Sequence, residues 1–119
     1  MRYADGFVIP VPQKKLDLYR RLSRRAGRIW KEHGALDYKE CVGEDLRVKG
    51  TASFRKTLGL LRAETVIFSW ILYRSRKHRD RVNAKVMKDP RLLKMMENAE
   101  MPFDPRRMLY GGFRVIVDA

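Results

Sequence analysis

The predicted elements of this chain follow the order strand, helix, strand, strand, helix, strand, which indicates an α+β fold. Three observations carry this prediction: two amphipathic helical segments, one strand that is apolar on both of its faces, and a length of 119 residues, which suits one domain. In the ferredoxin-like arrangement, two helices cover one face of a four-stranded antiparallel sheet. We therefore expect a single ferredoxin-like domain over residues 1–119.

The first third of the chain predicts a strand, a long helix and a second strand. Residues 3–11 are rich in β-branched and aromatic side chains and end among prolines, which cannot donate to a ladder. Between residues 13 and 33, apolar side chains recur at spacings of three and four, and Gly34 follows as a stop signal. Residues 35–42 (ALDYKECV) predict the second strand.

The remainder predicts a loop, two strands and two helices. Residues 43–62 contain glycines and a Thr/Ser cluster, which is typical of a loop with a short helical turn. Residues 65–73 (TVIFSWILY) are apolar on both faces and predict a central strand. Ser75 is a suitable cap for a helix that ends near residue 88. A short helix over residues 91–97 and a strand over residues 110–118 complete the chain.

The third strand has two apolar faces, and the helices can cover only one of them. Phe68 and Trp70 share one face, while Ile67 and Ile71 share the other. An apolar face without a helix over it usually contacts a partner. The sequence therefore predicts a homodimer that packs sheet against sheet.

The charge of the chain is strongly positive. Lys and Arg number 27 against 14 acidic residues, which gives a formal net charge of +13. Solubility alone needs roughly 2 to 8 charges. The surplus lies in the two helical segments, and such a surface attracts phosphate backbones through counterion release. Two interpretations stay open, a solvated helix face and a nucleic-acid-binding surface formed by Arg21, Arg25, Arg28, Lys77, Arg81, Lys85 and Lys88.

Several other classes of function are excluded. No apolar run approaches the ~18 residues of a membrane span, and the amino terminus lacks the features of a signal peptide, so we expect a cytoplasmic protein without a membrane partner. One cysteine and two histidines make a poor metal set, and we expect neither a metal nor a cofactor. The HRD triplet at residues 78–80 is not a kinase loop, because Asn83 follows Asp80 too closely.

Three residues are candidates for chemistry. His33, in the last turn of the first helix, suits the negative end of the helix dipole; alternatively, it is a general base in a pocket between helix and sheet. Cys41 is expected to be a small buried side chain, and it becomes a reactive thiolate only beside a cation. Asp5 is a solvated strand-end residue or a polar group of a pocket.

An apolar pocket is the remaining prediction for the site, with four aromatic side chains as its lining: Phe7, Trp30, Phe68 and Trp70. Binding of a small molecule in this pocket, without identifiable catalysis, is the first hypothesis for function. The alternatives are nucleic-acid association through the basic helices and a cofactor-independent oxidoreductase in which His33 or Cys41 reacts.

Four long segments resemble one known family. They are DGFVIPVP at residues 5–12, WKEHGALDYKECVGED at 30–45, ETVIFSWILYRSRKHRDRVNAKVMKDPR at 64–91 and MPFDPRRMLYGGF at 101–113. Together they resemble the small bacterial YbaA-like family of domains of unknown function. That family is placed among the dimeric α+β barrels, which include cofactor-independent monooxygenases. The resemblance implies the fold and the dimer, and it implies no activity. Residues 53–63 depart from the family pattern, which has prolines there.

Overall fold

The computed structural model describes residues 1–98 and 100–119. Its strands are β1 (Tyr3–Pro12), β2 (Asp37–Val42), β3 (Glu64–Tyr73) and β4 (Leu109–Arg114), and its helices are α1 (Leu16–Glu32), α2 (Phe54–Leu58), α3 (Arg76–Met87) and α4 (Pro90–Asn98). Short 3₁₀ turns precede α1 and β4, at Gln13–Lys15 and Pro105–Arg107. None of the helices in the described ranges is both long and apolar enough to cross a membrane.

The four strands form one antiparallel sheet in the order β2-β3-β1-β4. This order, with helices between β1 and β2 and between β3 and β4, is the ferredoxin-like arrangement, so the predicted fold class is confirmed. β1 and β3 are the central strands and pair along their whole length, from Tyr3 opposite Tyr73 to Pro12 opposite Glu64.

The ends of the elements follow local chemistry. The Ser75 hydroxyl accepts a hydrogen bond from the His78 amide at 3.1 Å, which confirms the predicted cap of α3. In the loop before β3, α2 ends at Gly59, whose φ of 61° is left-handed and favours glycine. β4 ends at residue 114 rather than the predicted 118, because its partner β1 begins at Tyr3, opposite Arg114.

The helices cover one face of the sheet, and the apolar core lies there in two clusters. The first cluster joins α1, α3 and α4 to the sheet, and its buried members are Ile29, Ala35, Ile71, Tyr73, Val82, Val86 and Leu92. The second joins the start of α1 to the sheet through Ile9, Val11, Tyr19 and Ile67. Phe7 packs against both clusters. A cavity separates the two clusters on the helix-covered face.

The opposite face of the sheet carries large exposed apolar side chains. Phe68, Leu109 and Phe113 are 50%, 56% and 61% exposed. Cys41 pairs with Phe68 across β2 and β3 and therefore shares this open face. The prediction that Cys41 is buried is wrong, because β2 is an edge strand and the thiol lies on its uncovered side.

Candidate functional site

The cavity between α1 and the sheet has a volume of about 450 Å³. Its walls are mostly apolar, with Trp30 from α1, Leu92 and Met95 from α4, and Phe103 and Met108 from the segment before β4. Pockets of this size and composition are typical of small-molecule sites. Polar side chains interrupt the apolar wall at two places, and they define the chemistry of the site.

The floor of the cavity is a row of four residues across the sheet. Glu40 pairs with Ser69, Ser69 with Phe7, and Phe7 with Tyr110. Side chains paired in this way lie on the same face, and a row of four strands spans about 14 Å. The Phe7 and Tyr110 rings stack at 4.9 Å. The floor therefore runs from a carboxyl and a hydroxyl near β2 to two stacked rings near β4.

Glu40 is held by hydroxyl groups from α1 and β2. The Tyr19 hydroxyl donates to Glu40 Oε2 at 2.6 Å, and the Tyr38 hydroxyl donates to Oε1 at 3.3 Å. The Ser23 and Tyr38 hydroxyls are hydrogen-bonded at 3.1 Å. Tyr19 and Ser23 lie one helical turn apart, and Tyr38 and Glu40 alternate along β2, so both pairs face the cavity. We call these four residues the Glu40 cluster.

A glycine in α1 makes room for this cluster. A Cβ atom at Gly27 would lie 2.8 Å from Cδ1 of the Tyr38 ring, which is too close for any real side chain. The ring of Tyr38 therefore packs directly against the backbone of α1. Its hydroxyl is thereby placed between Ser23 and Glu40.

Burial controls the ionisation of the Glu40 cluster. The Glu40 residue as a whole is exposed on the edge strand β2, but its carboxyl group accepts hydrogen bonds from the Tyr19 and Tyr38 hydroxyls. Burial raises the pKa of Glu40, and hydrogen bonds from Tyr19, Ser23 and Tyr38 oppose this effect in part. Burial, followed by the charge of Glu40, also raises the pKa of Tyr19 and of Tyr38 well above the usual range. The two tyrosines therefore remain protonated donors, whereas Glu40 exchanges a proton more readily than an ordinary carboxylate.

Asp5 lies at the other polar part of the cavity, in an ion pair. It is 1% exposed, and Arg79 Nη1 donates to its Oδ1 at 2.7 Å. The same Nη1 donates to the Tyr110 hydroxyl at 3.1 Å, and the guanidinium lies over the Tyr3 ring at 4.9 Å. Asp5 lines the cavity, as one of its two predicted roles requires, and it is not a solvated strand-end residue.

Asn83 supplies an oriented amide beside Asp5. Its Oδ1 accepts hydrogen bonds from Trp30 Nε1 at 3.0 Å and from the Tyr73 hydroxyl at 3.1 Å. These two donors fix the amide, so its Nδ2 lies on the side of Asp5 Oδ2, 3.5 Å away. Asn83 lines the cavity, so its amide adds a polar group to the wall beside Asp5.

Comparison with known proteins places this architecture in a family. Residues 2–105 match the family model described as "Protein of unknown function (DUF1428)". The chain belongs to this family. It is 44% identical over 118 residues to "Uncharacterized protein YbaA" of Escherichia coli strain K12, with 99% of each chain covered, and equally similar to the protein of that name from Shigella flexneri. The predicted resemblance is thereby confirmed.

The fold also matches a solved structure. A crystal structure described as a dimeric ferredoxin-like protein, from an uncultured marine organism, superposes with a TM-score of 0.58 at 12% identity. The match covers 100% of both chains. At this identity the likeness concerns the fold.

In this member of the DUF1428 family, His33 lies outside the cavity. Its Nε2 is 2.8 Å from Asp89 Oδ2, between the end of α1 and the start of α4. Hydrogen bonds from Arg91 and from His33 hold the pKa of the Asp89 carboxyl well below its usual range. The helix-end position predicted for His33 is observed, whereas the structure does not place it as a base in the cavity.

The four predicted pocket aromatics do not come together. Phe7 and Trp30 line the cavity. Phe68 and Trp70 lie on the open face of the sheet, with ring centroids 5.7 Å apart. The alternation of β3 is the reason, because Ser69 lies between them in sequence and faces the helices.

The predicted basic residues are all exposed, on α1, on α3 or at the residue that ends α3: Arg21, Arg25, Arg28, Lys77, Arg81, Lys85 and Lys88.

In the described part of the chain, no group of three or more histidine, cysteine, aspartate and glutamate side chains is arranged to hold a metal ion.

Sequence reasoning missed Glu40, Ser69 and Asn83. A usable signal exists for Glu40, because Tyr38 and Glu40 alternate in the predicted second strand and therefore share one of its faces. An acid on the covered face of a strand is uncommon and marks a polar site. No comparable signal exists for Asn83, whose partners Trp30 and Asp5 lie 53 and 78 residues away.

Proposed function

We propose that this protein binds a small, mainly apolar molecule with polar substituents in the cavity between α1 and the sheet. The observation that carries the proposal is a cavity of about 450 Å³ between the two core clusters. Small-molecule sites are typically apolar clefts of about 300 to 1,000 Å³ that carry a few polar groups. This cleft opens to solvent beside exposed side chains such as Met96 and Met101, so a ligand can enter it.

The lining favours a flat molecule with both hydrogen-bond donors and acceptors. The aromatic side chains of the lining, including Phe7 on the floor, suit an aromatic ring in the ligand. Methionines such as Met95 and Met108 adapt to a ligand of irregular shape. Glu40 accepts hydrogen bonds at one end, and the Asn83 amide donates at the other. An aromatic or conjugated molecule that carries a carbonyl group fits this arrangement.

Filling the cavity tests the proposal. We expect Ser69→Phe to weaken binding of a bicyclic probe, 5-nitroindazole, at least tenfold, because the new ring occupies the floor between Glu40 and Phe7. Isothermal titration of wild type should give one site per chain. Ala52→Phe, in an exposed loop, adds the same ring elsewhere and should bind like wild type. Equal affinity of Ser69→Phe and wild type would place the probe outside the cavity.

We further propose that the protein is a homodimer through the open face of the sheet. Phe68, Leu109 and Phe113 expose on this face an apolar patch that no helix covers in the described residues. Exposed apolar patches of this kind mark interfaces. The solved ferredoxin-like neighbour is described as dimeric, which supports a dimeric state for this chain.

Exposure of all seven predicted basic residues favours nucleic-acid association as a second candidate. If they contact phosphates, log K for a duplex should fall with log salt by about 0.9 per phosphate neutralised. Reversing Arg21, Arg25 and Arg28 to Glu should flatten this slope, whereas Phe68→Ala should leave it unchanged. Filter binding at a series of salt concentrations measures the slope. If wild type retains no duplex on the filter at ~0.1 M salt, the seven basic residues form only a solvated surface.

A further inference from the structure

We infer that Glu40 is the proton-transfer residue of the cavity and acts on an uncharged, conjugated carbonyl compound that lies over Ser69 and Phe7. The inference rests on the proposed binding of a small molecule in the same cavity. Three observations support the inference. Glu40 lies opposite Ser69 on the cavity floor, neutral hydroxyls hold its carboxyl group, and the Asn83 amide lies at the other polar part of the lining.

The two acids of the lining differ in their partners. Asp5 is neutralised by Arg79 at 2.7 Å. The hydrogen bonds that Glu40 receives from the described residues come from the neutral hydroxyls of Tyr19 and Tyr38. A carboxylate in an ion pair loses the attraction of its cation when it takes up a proton, whereas one held by neutral hydroxyls loses no such attraction. Glu40 is therefore the acid of this cavity that suits proton transfer.

The surroundings of Glu40 set its basicity. Ser69 of β3 lies beside it, Tyr19 and Ser23 face it from α1, and Tyr38 neighbours it on β2. Burial raises the pKa of Glu40 from its ordinary value of 4.5. A general base is most effective when its pKa approaches the working pH.

Cations from α1 and β2 line an outer groove that Glu40 also borders: Arg20, Arg24, Arg28, Lys31 and Lys39. Arg20 is paired with Asp17. Glu40 therefore borders a basic groove, and burial raises its pKa above that of an exposed carboxylate.

The same groove connects Glu40 to solvent. Glu40, Tyr19 and Tyr38 border both the cavity and this outer groove, which has a volume of about 730 Å³. Between reactions, the Glu40 carboxyl can therefore exchange its proton with solvent through this groove, while its other side faces the cavity.

The step that this arrangement favours is an isomerisation. The Glu40 carboxylate takes a proton from the carbon γ to the carbonyl, and the C–H electron pair forms a new Cβ=Cγ bond. The former Cα=Cβ pair moves to form the C=C bond of a dienolate. The carbonyl π pair moves to oxygen, and the Asn83 amide is the donor for that negative oxygen. Return of the proton to another carbon of the conjugated system releases the isomer. Atoms and electrons balance without an oxidant.

A carbon acid that reports its own deprotonation tests Glu40 directly. With 5-nitrobenzisoxazole, a base removes the C3 proton, the C–H pair completes a nitrile, and the N–O bond breaks to leave a coloured phenolate. We expect wild type to accelerate this reaction, with a rate that rises with pH around a midpoint above 4.5. Glu40→Gln should lower the rate by at least about 100-fold, the usual contribution of a general base. Glu44→Gln removes an exposed carboxyl nearby and should not change it.

Two further variants separate proton transfer from a structural role. Tyr19→Phe removes a hydrogen bond that lowers the pKa of Glu40, so its rate profile should move to higher pH. Glu40→Asp keeps a carboxyl and should keep a pH-dependent rate at a lower level. If Glu40→Gln fails to fold, Glu40→Asp alone tests whether Glu40 transfers the proton. A flat profile for Glu40→Asp, or an unshifted one for Tyr19→Phe, would overturn the inference.

The outcomes for binding and for proton transfer are distinguishable. If 5-nitroindazole, which cannot eliminate, binds wild type and Glu40→Gln while both react with the benzisoxazole at equal rates, the role of Glu40 is overturned and binding stands. If 5-nitroindazole does not bind wild type, the binding site and the role of Glu40 are overturned together.

Discussion

Replacing Asp5 by Ala should destabilise the fold by about 3 to 5 kcal/mol, because the guanidinium of Arg79 loses its buried carboxylate partner. The Arg79 side chain is 13% exposed and the Asp5 side chain 1%. Arg79 also holds the Tyr110 hydroxyl and covers the Tyr3 ring, so loss of Asp5 disturbs the packing between α3, β1 and β4. Urea denaturation followed by circular dichroism measures the free energy of unfolding.

Asp80 provides the control for this variant. It also pairs with Arg79, at 2.8 Å, but its side chain is 60% exposed. Asp80→Ala should therefore cost less than about 1 kcal/mol. Replacing both partners, as in Asp5→Ala with Arg79→Met, should recover part of the loss, since no unpaired charge remains. A loss below about 1 kcal/mol for Asp5→Ala would show that the ion pair contributes little.

Phe68→Glu should convert the proposed dimer into a monomer of 14.1 kDa. Phe68 is 50% exposed on the open face of the sheet, close to Trp70, so the substitution places a charge in the proposed interface. A charge that loses water without a partner costs several kcal/mol. Light scattering after size exclusion, in ~0.3 M salt to screen repulsion between the basic chains, measures the mass.

The control for this variant is a second exposed apolar residue outside the sheet. Leu61 is 65% exposed in the loop before β3, and Leu61→Glu should leave the mass at twice that of one chain. If wild type itself elutes as a monomer at micromolar concentration, the sheet-to-sheet dimer is wrong.

Much of the fold could be predicted because its signals are local. The apolar spacing of α1, the serine cap of α3 and the two apolar faces of β3 all lie within short windows of sequence. The end of β4 could not be predicted in the same way. It depends on where β1 begins, more than a hundred residues earlier in the chain.

The candidate site was harder to predict than the fold, because its contacts join residues that are distant in sequence. Asp5 and Arg79 lie 74 residues apart, and Tyr19 and Glu40 lie 21 apart. The sequence favoured Cys41 as a candidate, and Cys41 follows Glu40 directly in the chain. Neighbouring residues of a strand lie on opposite faces of the sheet, so only Glu40 faces the cavity. The same alternation separates Phe68 and Trp70 from the cavity that Phe7 and Trp30 line.

A crystal structure of the wild-type protein soaked in 5-nitroindazole tests the central claim, a ligand site between α1 and the sheet, most directly. We predict the compound over Ser69 and Phe7, between Glu40 and Asn83, with the two core clusters unchanged. Electron density for the compound on the open face beside Phe68, or an unoccupied cavity at saturating concentration, would contradict the account.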